Sequence, residues 1–259
     1  MPKTTLLPRL LILLSIVLLS ACASTHGDKA SAWGDARQLV LVTTADWNAT
    51  SGTLRRFERF GTAWREVGEP APITVGRNGS AWGIGLHAPQ ANGPIKQEGD
   101  GRAPAGVFRI GTAFGYADRA ATSWPYQGMS ASDWCIDVNA SPLYNRIVDA
   151  RQVGESAVAG STEPMRRDLH ANGDQRYKLG FVIEHNPVNR SGAGSCIFAH
   201  LWKAPGETTA GCTAMAEPVM QELLAWLKPE DQPVFALLPH DELERLTGAW
   251  DLPRPSPHR

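Results

Sequence analysis

The sequence predicts a mainly β chain with a few helices, most of it forming one domain. Three observations carry that prediction. Short apolar or β-branched runs recur along the chain, Gly and Pro punctuate the gaps between them, and only two segments show helical periodicity. Many strands with few helices point to one β-rich core. The chain has 259 residues, 42% hydrophobic and 20% charged, which is enough to bury such a core.

Taken in order, the first strand is expected at 38–44 (QLVLVTT), an apolar and β-branched run. Thr53 to Glu58 and Thr62 to Val67 flank Phe60-Gly61 and read as a hairpin. Further strands are expected at 73–75, 106–110, 179–184, 195–200 and 234–238. Turn residues separate them at Arg77-Asn78-Gly79, at Ala91-Asn92-Gly93-Pro94 and from Glu98 to Gly106. The first helix is expected over 217–228, with Val219, Leu223, Leu224 and Leu227 on one face and Pro218 in the first turn. A second is expected over 241–246, capped by Asp241 with Glu244 three residues on. Tyr116 to Asn172 is weakly periodic and reads as an insertion with short helices of its own. The end, 249–259, is rich in proline and is expected to fray.

Charge excludes one class of partner. Lys plus Arg number 25 against 26 Asp plus Glu, with no run of like charge, so no nucleic-acid partner is expected. The start of the chain sets the compartment. Lys3 and Arg9 precede an apolar run from Leu10 to Leu19. Ten helical residues rise about 15 Å, half of a bilayer's hydrocarbon core, so 1–21 reads as a secretory signal peptide rather than a span. Leu19-Ser20-Ala21-Cys22 resembles the lipobox of bacterial lipoproteins, which implies lipidation of Cys22. Several acyl chains make a durable anchor, and 22–37 reads as a small, polar tether. An ordinary signal peptide cut near Ala21 or Ala23 is the alternative.

Export leaves Cys135, Cys196 and Cys212 in an oxidising compartment, and three cysteines there suggest one disulfide and one thiol. The informative stretch is 195–215, SCIFAHLWKAPGETTAGCTAM. A strand-like run ends at His200, a polar loop follows, and Thr209-Ala210-Gly211-Cys212 comes just before an expected helix. A Cys ahead of a helix feels its positive end, which favours thiolate. His200 within hydrogen-bond reach would take the thiol proton. The amides of Gly211 and Cys212 would stabilise an oxyanion. These are the parts for acyl transfer by a cysteine nucleophile. A zinc site built from Cys196, His200 and Cys212 is the competing chemistry, but it has no Cys-x-x-Cys or His-Glu-x-x-His companion. His87, His170 and His185 carry no motif, although His185 follows an expected strand towards the cleft.

The stretch resembles the catalytic motif of the bacterial L,D-transpeptidases of the YkuD type, in which a His ending one strand precedes a Ser/Thr-x-Gly-Cys turn. The resemblance implies His200 as general base, Thr209 as the Ser/Thr, Gly211 as the Gly and Cys212 as nucleophile. Trp202 and Lys203, just beyond His200, are candidates for substrate contact. A second stretch, Glu98 to Ile110 (EGDGRAPAGVFRI), is similar to the family's Gly-Asp-Gly turn leading through Pro-x-Gly into a strand. The family implies a β-sandwich-like catalytic domain, here 38–248. It also implies peptidoglycan stem peptides as substrate and no metal or organic cofactor. Three departures stand out: a short His-to-Cys spacing, Ala210 in place of a second His, and Ala214 in place of Arg or Asn. They keep open an L,D-carboxypeptidase or amidase that hydrolyses a peptidoglycan peptide bond, and a non-catalytic peptidoglycan-binding lipoprotein. With Cys212 as nucleophile, Cys135 and Cys196 remain for a disulfide, or as two buried thiols. The implied setting is the periplasm-facing cell envelope, attached through the N-terminal lipid. Oligomeric state is not legible in the sequence.

Overall fold

The computed structural model describes residue 1 and residues 32–255. Cys22, nearly all of the 1–21 segment and most of the 22–37 tether lie outside the described residues. No helix among the described residues is long and apolar enough to cross a membrane.

The chain is mainly β. β1 (Gln38–Thr44), β2 (Ser51–Phe60) and β3 (Ala63–Thr74) form an antiparallel meander. After β4 (Ser80–Trp82) comes the long β5 (Ala103–Gly115). An insertion holds β6 (Tyr126–Gly128), β7 (Asp133–Cys135), β8 (Ile147–Asp149) and β9 (Glu163–Pro164). The chain returns through β10 (Leu179–Ile183), β11 (Phe198–Leu201), β12 (Thr213–Met215) and β13 (Val234–Pro239). Hydrogen-bonded neighbours run β10-β11-β12-β3-β2-β1-β13-β5, and β5 pairs back onto β10. Eight strands therefore close into a barrel, where two facing sheets were expected.

Local sequence explains most of the wall. Leu39 to Val42 are fully buried, as are Phe235 to Leu238 on the parallel partner β13. Strands covered on both faces read as continuous apolar runs. Over the wall lie α4 (Glu217–Trp226) and α5 (His240–Leu246), which pack Met220, Leu223 and Leu224, and Leu243 and Leu246, into the core. Phe60 pairs with Ala63 across a two-residue turn in which Gly61 takes φ +63°.

Several expectations are corrected. The segments 62–67 and 73–75 are one strand: Gly68-Glu69-Pro70 bulge out of the β2–β3 ladder, so periodicity breaks while pairing continues. The strand expected at 195–200 begins at Phe198, because Cys196 takes φ +54° and leaves the ladder. Asp241 does not cap α5, which starts from Pro239 without a side-chain cap. The tether ends earlier than 37, since Trp33 and Ala36 are buried. The 249–259 tail does not fray from its start: Trp250 and Leu252 are also buried, and Trp33 Nε1 donates to the Trp250 carbonyl at 3.2 Å.

The insertion is a small structure of its own. β8, β7 and β9 make a three-stranded sheet. Three helices of four residues each, α1 (Ala150–Val153), α2 (Glu155–Val158) and α3 (Arg167–His170), complete it. A disulfide between Cys135 and Cys196 ties β7 to the loop before β11. Closing a loop of this length stabilises by roughly 4 kcal/mol on chain-entropy arithmetic.

Candidate active site

Cys212 enters β12 from a tight turn that its neighbours build. Thr209 Oγ1 donates to the Cys212 carbonyl at 2.7 Å and accepts the Gly211 N–H at 3.0 Å. Gly211 sits at φ +153°, and a Cβ there would come within 2.9 Å of the Arg102 carbonyl oxygen, so both backbone and space require glycine. The turn is fixed to the barrel where Thr209 N–H donates to the Val75 carbonyl and Arg77 N–H to that of Thr209. Thr209 thus shapes the turn. The Gly211 amide is occupied by Thr209, so it does not serve the expected oxyanion role in this state. The Cys212 amide has no hydrogen-bond partner among the described residues.

The thiol is free and buried. Its Sγ accepts the Phe198 N–H at 3.4 Å, and its S–H donates to the Cys196 carbonyl at 3.6 Å. Phe114, Met129, Met165, Tyr177, Phe198 and the Cys135–Cys196 disulfide share its apolar cluster. Burial pushes the thiol up to about 12, and the Glu163 carboxylate acts in the same direction. The thiolate expected from a helix dipole is therefore absent at rest. Strand β12 stands between Cys212 and α4, so the helix end is too far along the chain to act on it.

His200 lies on β11, parallel to β12. Ala199 pairs with Thr213 and His200 with Ala214, which sets Cys212 beside Phe198. Phe198 and His200 point to one face of the strand, so His200 and Cys212 share a side of the wall, offset by roughly 6–7 Å of strand. No hydrogen bond joins them among the described residues. His200 Nδ1 is 2.7 Å from the Leu201 carbonyl. A carbonyl only accepts, so Nδ1 carries the proton and Nε2 keeps the lone pair. Burial brings the imidazole down to about 4, and it rests neutral.

Tyr177 is a residue that the sequence did not single out, because no local motif marks it. Its ring meets His200 edge-on at 5.2 Å, and its hydroxyl donates to Glu163 Oε2 at 2.6 Å. Burial raises both groups. Arg167 reaches Glu163 and Asp174, and Arg176 pairs with Asp174, so His200 feels the charges of Arg167, Arg176 and Asp174.

The other expected residues fall elsewhere. Trp202 is half-buried and Lys203 exposed on the loop after β11, and neither joins the cluster around Cys212. Cys196 is disulfide-bonded, so its sulfur is not available to the three-ligand zinc site. His185 is a scaffold residue: Nδ1 accepts from Ile84 N–H and Nε2 donates to the Ala193 carbonyl. In the second motif, Glu98 accepts from Tyr144 and, at 2.7 Å, from Ser195 Oγ. Asp100 holds its turn through Lys96 Nζ at 2.6 Å and the amides of Gln97 and Arg102. A cleft of about 1000 Å³ lies between the start of β2, the end of β1 and α5, away from the thiol.

No known family profile and no curated protein matches the chain. Among solved structures it is similar to Bd1075 of Bdellovibrio bacteriovorus, at 14% identity and a TM-score of 0.37. The match covers 83% of this chain and 57% of that one, so the chain spans a little over half the length of Bd1075. At this level of likeness no property passes from one to the other.

Proposed function

We propose that this chain is a cysteine acyltransferase of the cell envelope, acting on peptidoglycan stem peptides in the manner of the L,D-transpeptidases, with their catalytic fold. The observation that carries the reading is that, among the described residues, the one free thiol, Cys212, lies on the same face of neighbouring strands as a neutral His200 whose Nε2 makes no hydrogen bond. The motif at 200–212 and the turn at 98–110 supply the choice of substrate. Export, lipidation at Cys22 and a periplasm-facing position belong to the same reading.

Substrate displaces the thiol from the Cys196 carbonyl, and His200 Nε2 takes its proton. The thiolate attacks the amide carbonyl between the third residue of the stem and a terminal D-amino acid. In this reading the Cys212 amide, which has no hydrogen-bond partner among the described residues, serves as the oxyanion donor. As the tetrahedral intermediate collapses, the amine departs with the proton from His200 and a Cys212 thioester remains. An acceptor amine, deprotonated by His200, or water in its place, resolves the thioester and restores the thiol. Hydrolysis is the second reading. Ala210 and Ala214 support it, standing where the resembled family carries a second His and an Arg or Asn.

Intact-protein mass spectrometry tests the proposal, after exposure to a carbapenem and, separately, to stem tetrapeptides. The expected result is a covalent adduct on Cys212, absent in Cys212→Ala and formed 10²–10⁴-fold more slowly in His200→Ala. The tetrapeptide products separate exchange from hydrolysis. Absence of any adduct on a confirmed free thiol would leave a binding protein as the better reading.

A further inference from the structure

The mechanism so far uses the barrel wall alone, yet the thiol's resting partner, the Cys196 carbonyl, is held by the insertion. Cys196 adopts φ +54°, a left-handed conformation that a side chain other than Gly or Asn takes only under external constraint. Three contacts impose it. The Cys196 side chain is bonded to Cys135 on β7. Its N–H donates to Asn145 Oδ1 at 2.9 Å. Two residues earlier, Gly194 N–H donates to the Tyr144 hydroxyl at 3.1 Å.

Asn145 is itself fixed. It sits at φ +62°, and its Nδ2 donates to the carbonyls of His185 and Asn186, both at 3.1 Å. The insertion therefore grips the loop before β11 through a covalent bond and a half-buried amide, and the gripped residue directs its carbonyl at Cys212 Sγ.

We propose that Cys196, held by Asn145 and by the Cys135 disulfide, is a positioning residue for Cys212. Its carbonyl accepts the S–H and fixes the sulfur's approach until substrate displaces it. Without the grip the loop relaxes, the thiol becomes more acidic and more open to small reagents, and it is less well aligned for a bound acyl donor. This rests on Cys212 being the nucleophile of the proposed function, but the hold on the thiol is measurable without any substrate.

The experiment uses the full chain with Asn145→Gly, which removes the amide while permitting φ +62°, and with the double change Cys135→Ser, Cys196→Ser. Both cysteines are replaced so that neither can pair with Cys212. Asp149→Ala, elsewhere in the insertion, serves as control. Alkylation of Cys212 by iodoacetamide is followed from pH 7 to 11, and acylation by a carbapenem is followed in parallel. Thermal melting confirms that each sample is folded. The gripless variants are expected to alkylate about tenfold faster at pH 8, as a thiol pKa one unit lower provides, and to acylate about tenfold more slowly. The control should follow the wild type in both. An unchanged alkylation profile in Asn145→Gly and in the double variant overturns the proposal, as does an equal shift in Asp149→Ala. A wild type that alkylates as expected but never acylates overturns the proposed function instead, leaving the positioning result to stand on the alkylation profiles.

Discussion

The barrel and the insertion meet at Cys212, and they are held together by different forces. In the barrel, backbone ladders run through strands of up to 13 residues, and fully buried side chains such as Phe108, Phe181 and Phe235 fill the interior. In the insertion no strand exceeds three residues and no helix exceeds four. Its order comes from a small apolar cluster around Ile136, Ala150 and Val158, from a disulfide, and from polar pairs such as Arg166–Asp168, Arg167–Glu163 and the Asp137 bonds to Ser161 and Thr162. Apolar burial is cooperative and insensitive to pH, whereas ion pairs and single cross-links act locally. The wall thus places Cys212 and His200, and the insertion contributes to what surrounds them.

Acid should separate the two regions most strongly. His200, on the wall, and His185, just after β10, are both brought down to about 4 by burial. Between pH 6.5 and 4 the unfolded chain binds protons that the folded chain refuses, so stability falls as pH falls, by roughly 1.4 kcal/mol per unit per histidine at most. The Asp168 and Asp174 carboxyls are depressed by their arginine partners, although burial opposes this at Asp174. Their contribution is present above the ordinary carboxylate range and lost only as pH falls below it. Melting curves from pH 7 to 4 should therefore show the wall weakening first. A midpoint that is flat down to pH 4 would contradict the neutral buried histidines.

Phe235→Ala comes next. A fully buried aromatic lost from β13, where it pairs with Val40 of β1, should cost about 3–5 kcal/mol and lower the single barrel transition in urea. The smallest effect is expected at Asp137→Ala, which removes acceptors for Ser161 and Thr162 and should cost about 1 kcal/mol. Hydrogen exchange should place that loss in 133–165 and leave the β1 and β13 amides as protected as before. If Asp137→Ala instead loosens the whole barrel, the two regions are one cooperative unit and the contrast fails.

The same contrast decides what could be read in the sequence. β1, β13 and α4 were legible because their burial is local and periodic: QLVLVTT and the apolar face of 217–226 declare themselves. The pairing of Cys135 with Cys196 followed from choosing Cys212 as the free thiol. The continuity of β3 was hidden because Gly68 and Pro70 look like a stop, while the ladder resumes beyond them. The thiol's chemistry was misread for a related reason. Its state depends on Met129, Met165, Glu163 and Tyr177, which arrive from 35 to 83 residues away through segments with no periodicity. A three-residue strand at 213–215 was enough to remove the helix dipole from the account.

The Trp33–Trp250 contact has a consequence for how the chain can be rearranged. Both ends of the folded body are pinned at one pole, with ring centroids 5.6 Å apart. A short peptide could join them there, and the exposed Gly61-Thr62 turn, where even a Cβ on Gly61 would meet nothing, could be cut to provide new ends. Such a circular permutant keeps every ladder of the barrel. It would also move both chain ends to another part of the surface, so that the orientation of the thiol relative to anything attached to an end becomes an experimental variable.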